Sequence, residues 1–315
     1  MSNLIVSPMP HIHDRITTSR IMIDVIIALV PAFIAGVLVF GPRAALVTAV
    51  CVFSCVFFEW AFQKIVKKKI TINDYSAALT GLLLAFNLPV TIPLWQAVFG
   101  SLVAIILVKQ LFGGLGKNFA NPAITARVVM FLAFPITMTT WAVPWIISAP
   151  DALTAATPLM YLARGETATL PALWDMFLGV HGGCIGETSE LALLIGGLYL
   201  VCRRIITWHA PVTFIGTVFV LTAIAGAFPV YQILSGGLFL GAIFMATDYV
   251  TTPLTKSGRI IFGIGCGALT VLIRLYGAYP EGVSISILLM NVLTPYINKA
   301  TAKKALGAKP EGQIK

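Results

Sequence analysis

The chain alternates long apolar runs with short polar breaks, and the runs can be counted against the thickness of a bilayer. A crossing helix needs about 20 mostly apolar residues at 1.5 Å each. That ruler predicts spans near 22–40, 44–63, 76–90, 94–112 and 123–146, then near 173–207, 212–228, 231–247, 259–276 and 283–297. The third span is short and ends in Asn87-Leu88-Pro89. The sixth begins with the glycine-rich stretch His181-Gly182-Gly183-Cys184-Ile185-Gly186, so its continuous helix is predicted at about 189–207. Nine spans stay open on hydropathy alone.

Composition supports the membrane reading. Hydrophobic residues make up 58% of 315 and charged residues 10%, against roughly 25% charged in a soluble domain. Too little charge remains to coat a water-facing surface, so lipid must solvate much of the exterior. The net charge of +9 does not point to nucleic acid, because no basic helix with interleaved aromatics is present. The basic residues cluster between apolar runs, where they report orientation. With the N-terminus inside, 18 of the 21 Lys and Arg fall on inner segments and three, Arg43, Arg164 and Arg274, fall outside. A missed helix would flip every later loop and destroy that asymmetry, so the expectation is ten spans with both termini cytoplasmic.

Ten spans divide into two five-helix repeats of opposite orientation, residues 1–146 and 173–298, around an outer loop at 147–172, with a tail at 299–315. Leu79-Thr80-Gly81 in the third span matches Leu234-Ser235-Gly236 in the eighth. Interrupted spans at corresponding positions mark the site region of inverted-repeat proteins, although small residues also let helices pack closely. The fold class expected is therefore an all-α polytopic membrane protein.

The outer loop reads Ala149-Pro150-Asp151-Ala152-Leu153-Thr154-Ala155-Ala156-Thr157-Pro158-Leu159. Small neighbours leave a threonine hydroxyl open to an activated phosphate, and Pro158 disfavours helix at Thr157. Taken alone, the stretch reads more simply as a surface loop. Its Asp-x-x-Thr-Ala-Ala-Thr pattern, however, resembles the flavinylation motif of the family that comprises the D subunit of the Rnf complex and the B subunit of the sodium-pumping NADH:quinone oxidoreductase. Similar stretches cover nearly the whole chain: Ser7-Pro8 with His11 and Arg15, Gly113 to Asn118 running on to Asn121-Pro122-Ala123, Gly186-Glu187-Thr188-Ser189, and Met245-Ala246-Thr247-Asp248. Ala155 stands where that family commonly has Gly. The short N-terminal segment resembles the Rnf protein more closely than the quinone reductase protein.

The resemblance implies FMN joined through its phosphate to Thr157, with Asp151 as part of the motif, and a non-covalent riboflavin between the helices. It also implies other membrane subunits of the Rnf complex as partners, an extracytoplasmic FMN subunit among them, and a flavin transferase that modifies the loop. The activity implied is electron transfer between ferredoxin and NAD coupled to Na+ or H+ export. A decoy at Asp248 to Pro253 also sets an acid before a Thr-Pro, at Thr252, but the charge count places it inside and Thr157 outside.

Gly113-Gly114-Leu115-Gly116-Lys117-Asn118 is not a phosphate-binding P-loop, which requires a hydroxyl where Asn118 stands. It opens the fifth span, and Asn118 and Asn121 are candidates for riboflavin contact; a tight interhelical turn is the plainer reading. Asp248 caps a glycine-rich span and is a candidate for ion coupling. Asp24 and Arg274 are expected to reach the interface from helix ends, Glu59 to pair with Lys64 or be solvated, and Glu187 and Glu190 to serve a helix dipole. The six Trp are expected to form an interfacial belt. Cys51 and Cys55, four apart in an apolar helix, are expected as small packing residues. No catalytic triad, zinc-type cluster or dinucleotide fingerprint can be assembled, so substrate oxidation belongs to partner chains. The rivals are a flavin-free channel or secondary transporter built from inverted repeats, and a structural scaffold; flavin colour separates them from the redox reading.

Overall fold

A hydroxyl starts the first helix. Thr17 accepts the Arg20 N–H at 3.4 Å, and α1 runs Thr18–Phe40. Gly41, at φ 78°, breaks it, and Pro42 in the first turn starts α2, Pro42–Ile65, a position where its missing N–H costs nothing. Asp74 accepts both the backbone N–H of Ser76 at 2.8 Å and its hydroxyl at 2.6 Å, and α3, Ser76–Phe86, follows with only 11 residues. In this computed structural model the described residues are 17–145, 156–166, 170–277 and 281–302.

The remaining elements are α4, Leu94–Leu102, which continues as a π-helix over Val103–Gln110; α5, Pro122–Ala133; and α6, Pro135–Met138. Next come α7, Pro158–Arg164; α8, Leu173–Leu178; α9, Glu190–Cys202; and α10, His209–Ile224. The chain ends with α11, Pro229–Ile233; α12, Leu238–Leu240, continued as a π-helix over Gly241–Met245; α13, Lys256–Tyr276; and α14, Val283–Thr301. Among the described residues the fold is helical. By length and composition α1, α2 and α13 are apolar enough to cross a membrane, and five shorter apolar helices accompany them.

Contacts between helix ends sort the chain onto two faces. On the first face Ser19 at the start of α1 donates to the Asn73 carbonyl, Arg259 at the start of α13 donates to Thr207 ahead of α10, and Leu254 N–H reaches Asn298 near the end of α14. On the opposite face Arg43 at the start of α2 donates to the Val90 carbonyl, Thr91 to the Thr140 carbonyl, and Arg274 near the end of α13 to the Gln232 side chain on α11. Laterally, α1 packs on α9, α2 on α3 and α4, α5 on α14, and α10 on α13.

The core is a continuous apolar cluster, yet Phe53, Leu132, Ile136 and Ile224 are each 75% exposed or more. An apolar exterior on this scale suits lipid contact and not water. This is a membrane protein.

Several expectations need correction. Glu59 does not pair with Lys64: it is buried against Lys109 at 2.8 Å, while Lys64 lies over the Trp60 ring. Arg274 is buried rather than reaching the interface, and so are Lys109 and Arg127, which the charge count assigns to inner segments. Long side chains bring all three into polar clusters between helices, which hydropathy averaging along a single helix cannot register. Trp141 is buried inside the bundle, whereas Trp95, Trp145, Trp174 and Trp208 are exposed.

Close approach of α3 to α2 depends on Gly81. A Cβ there would lie 2.7 Å from both the Cys51 carbonyl oxygen and the Val52 Cα, and neither backbone atom can turn aside. Gly81→Ala is expected to destabilise the bundle by about 1–3 kcal/mol, read as a lower unfolding temperature of the purified protein in detergent. Gly216→Ala, in open space, should leave that temperature unchanged.

Candidate functional site

The glycine-rich segment after α4 turns because Gly113, Gly114 and Gly116 all adopt positive φ, conformations that side-chain-bearing residues rarely take. The turn delivers Asn121 to the start of α5, where its Oδ1 accepts the N–H groups of Ala123 at 3.0 Å and Ile124 at 3.3 Å. Asn121 is thus an N-cap, an ordinary structural duty. Asn118 lies beside it, its Oδ1 buried and accepting no hydrogen bond among the described residues.

Asp248 reaches the same place from the other half of the chain. It sits in the loop after α12 and accepts the Thr251 hydroxyl at 3.1 Å and the Val250 N–H at 3.4 Å. Burial raises its carboxyl above the ordinary aspartate range, and those donors pull it back down. Asn118, Asn121 and Asp248 line one pocket with Lys109, Ser76 and the apolar side chains of Leu79, Leu83, Leu200 and Phe244. The pocket opens between α1, α3, α5, α9 and α12, on the first face.

Its floor is ionic. Lys109, in the π-helical part of α4, donates to Glu59 at 2.8 Å and to the Ser76 hydroxyl at 2.6 Å, and Gln110 donates to Glu59 at 2.8 Å. Lys109 and Glu59 are each 1% exposed. Hydropathy misses this cluster; the signal for it is the placement of Glu59, Gln63, Lys109 and Gln110 in otherwise apolar runs.

Thr157 lies on the opposite face. Its backbone is extended, with ψ 154°, as Pro158 requires, and its Oγ1 accepts the Met160 N–H at 3.3 Å as the N-cap of α7. The side chain is 6% exposed in this arrangement. Leu159 next to it packs within reach of Gly236 beside Arg274. Asp151 lies outside the described residues. The decoy Thr252 is buried and donates its hydroxyl to the Asp248 carbonyl.

A second polar centre, also missed by sequence reasoning, lies deep between the halves. Arg127 on α5 donates to Asn87 Oδ1 at 2.7 Å and to Cys184 Sγ at 3.5 Å, bonds Glu281, and stands 3.7 Å from Glu187. Glu187 accepts the Cys184 N–H at 3.1 Å. The loop 181–190 is buried at every position, and its Ile185 and Gly186 N–H groups donate to the Leu88 and Phe86 carbonyls at the end of α3, each at 3.1 Å. A plain dipole role for Glu187 and Glu190 does not account for this burial.

Residues 5–307 match the NQR2, RnfD, RnfE family, and the chain belongs to it. Along its length the chain is similar to D subunits of ion-translocating oxidoreductase complexes. It is 50% identical over 307 residues to the D subunit of the Na(+)-translocating ferredoxin:NAD(+) oxidoreductase complex of Acetobacterium woodii, covering 97% of this chain and 96% of that one. It is 45% identical over 319 residues to the D subunit of the proton-translocating ferredoxin:NAD(+) oxidoreductase complex of Clostridium ljungdahlii, covering 96% of each. It is 40% identical over 339 residues to the D subunit of the ion-translocating oxidoreductase complex of Stutzerimonas stutzeri, covering 95% of each.

Removing one partner of a buried ion pair strands the other charge, at about 3–5 kcal/mol, whereas replacing both with apolar groups is often neutral. Glu59→Gln is therefore expected to lower the unfolding temperature sharply, and Glu59→Met with Lys109→Met to recover most of it. Equal losses in the single and double variants would show that the pair is not the source of the stability.

Proposed function

We propose that this chain is the transmembrane electron carrier of an ion-translocating ferredoxin:NAD+ oxidoreductase complex, with FMN linked through its phosphate to Thr157 and riboflavin held in the pocket on the first face. The reading takes ten segments to cross the bilayer: α1, α2, α3, α4 and α5 in one half; α9, α10, the α11–α12 pair, α13 and α14 in the other. The pairing of α1 with α9 and of α5 with α14 supports two inverted repeats, since corresponding helices meet across the middle. With Lys109, Arg127 and Arg274 taken out as buried residues, 16 Lys and Arg remain on the first face or the termini and two on the other. The first face is therefore read as cytoplasmic.

The observation that carries the proposal is the separation of the two candidate cofactor positions. Asn118, Asn121 and Asp248 meet at one face, and Leu159, two residues after Thr157, packs beside the α11–α12 turn at the other. A carrier that moves electrons across a membrane needs a stopping point near each surface.

The residues fit the groups proposed. At the pocket, Asn118 Oδ1 lacks a donor among the described residues, and apolar side chains of α3, α9 and α12 form walls for a flat ring. At Thr157 the hydroxyl oxygen is an acceptor in its hydrogen bond with Met160, so that bond leaves its proton free to depart when a phosphoester forms. Flavins supply one- and two-electron chemistry; the protein orients them and sets their surroundings. Lys109 and Asp248 would place opposite charges on the pocket lining. The chain carries no dinucleotide fingerprint, so oxidation of ferredoxin and reduction of NAD+ are assigned to partner subunits, and the flavin transferase acts on the outer loop. The broken helices also suit a flavin-free secondary transporter, which would be colourless.

The test is the flavin itself. Protein co-produced with a flavin transferase should show yellow in-gel fluorescence after denaturation, with an FMN mass increment on the tryptic peptide containing Thr157. Thr157→Ala should abolish both and Thr252→Ala neither, while Asn118→Leu should lose acid-extractable riboflavin and keep the covalent label. An unmodified wild-type peptide under those conditions would refute the covalent assignment.

A further inference from the structure

The ion pair under the first-face pocket is shut off from water, Lys109 and Glu59 each being 1% exposed. One hydroxyl joins it to the surface. Lys109 Nζ donates to Ser76 Oγ at 2.6 Å, and Ser76 Oγ donates in turn to Asp74 Oδ1 at 2.6 Å. Ser76 is 4% exposed, whereas Asp74 ends the 3-10 turn Ile72–Asp74 on the first face and is partly exposed. The row therefore runs from a carboxylate at the surface, through a buried hydroxyl, to a buried ammonium. Lys109 and Ser76 both line the pocket.

The chemistry of this row differs from that of its neighbours. A hydroxyl accepts and donates at the same oxygen, so it can pass a proton on as it takes one. The other outward contact of Glu59 is Gln63, whose Nε2 donates to Glu59 at 3.3 Å and to Thr71 at 2.8 Å. An amide nitrogen only donates, so that branch bonds without conducting. Asp248 lines the pocket as well, but it accepts from Thr251 and Val250 of its own loop. An Asx turn explains the bonds from Ser76 to Asp74. It does not explain why the ammonium of Lys109 lies on the same hydroxyl at the edge of a cavity. Ionisable residues inside a membrane protein commonly mark proton relays.

We propose that Asp74, Ser76 and Lys109 form a proton relay between first-face water and the pocket. The inference rests on the flavin reading of that pocket and deepens it by naming the source of the proton that accompanies reduction. Negative charge added to an apolar cavity is costly to leave bare. Lys109 meets it by releasing a proton from Nζ: one N–H bond breaks on the lysine and one forms on the ring. Neutral Lys109 strands the charge of Glu59, which draws the next proton in. The Ser76 hydroxyl gives its proton to Nζ while it takes one from the Asp74 carboxyl group, and water restores the proton on Asp74. One proton moves inward, matched by an electron that the complex delivers to the pocket flavin.

The experiment uses the purified full-length chain produced without a flavin transferase, so that Thr157 carries no label. It is mixed anaerobically in stopped flow with reduced methyl viologen, which gives up one electron and no proton, in weak buffer with a pH-indicating dye. Wild type should lose its flavin absorbance and take up protons in the same phase. Ser76→Thr and Ser76→Val share a shape and differ in the hydroxyl. The threonine variant should keep most of the proton-uptake rate, and the valine variant should lose about a hundredfold, the lower end of what a positioned proton-transfer group contributes. Asp74→Asn keeps the turn and loses the ionisable oxygen; it should be slowed likewise, and it carries the test if Ser76→Val is not monodisperse. Thr71→Val, on the amide branch, should match wild type. Wild-type rates in both Ser76→Val and Asp74→Asn, with riboflavin still acid-extractable, overturn the relay and leave the flavin reading standing. A wild-type chain without extractable riboflavin overturns both.

Discussion

Backbone that stops being helical inside a membrane must find its hydrogen bonds within the protein, because lipid offers none. In this chain that constraint converges on Arg127. The third helix ends at Phe86, and the loop ahead of α9 is buried without regular structure. Loop N–H groups take up the Phe86 and Leu88 carbonyls, and the Arg127 fork ties Asn87, Cys184 and Glu281 together. A planar guanidinium can reach three partners in fixed directions, which a lysine cannot. The two halves of the chain meet at this junction.

The Glu59–Lys109 pair does comparable work at the pocket. It places an ion pair beneath the cavity, where Ser76 accepts from Lys109 and Gln110 donates to Glu59. Both polar centres are built from residues on separate helices. The π-helical stretches at Val103–Gln110 and Gly241–Met245 belong to the same region, since Lys109 and Phe244 both line the pocket. Irregular helix, buried charge and cavity therefore occur together, as expected where local regularity yields to a site.

The helical class and the positions of the apolar segments are legible in hydropathy, because a bilayer imposes one length on every crossing. The start of α9 at Glu190 falls within a residue of its expectation, and Asn87-Leu88-Pro89 signals the short third helix. The break between α11 and α12 is visible in Ser235-Gly236-Gly237 only as small residues. What the sequence hides is partnership. Glu59 has Lys64 five residues on, yet its partner is Lys109, fifty residues away; Arg127 reads as an inner-segment charge, yet it is the centre of the bundle. Asn118, Asn121 and Asp248 each stand out for local reasons, and the structure brings them to one pocket. Glu187 and Glu190 fit a helix dipole in sequence, and burial is what sets them apart.

The junction at Arg127 is tested most directly by amide hydrogen exchange on Arg127→Lys, which retains the charge and loses the fork. The peptides covering 183–188 and the end of α3 at 86–88 should exchange at least about tenfold faster than in wild type, in line with loss of a charged hydrogen bond. The Asn121 cap of α5 should be unchanged. Equal protection in both proteins at 183–188 would show that the broken ends are held by something other than Arg127.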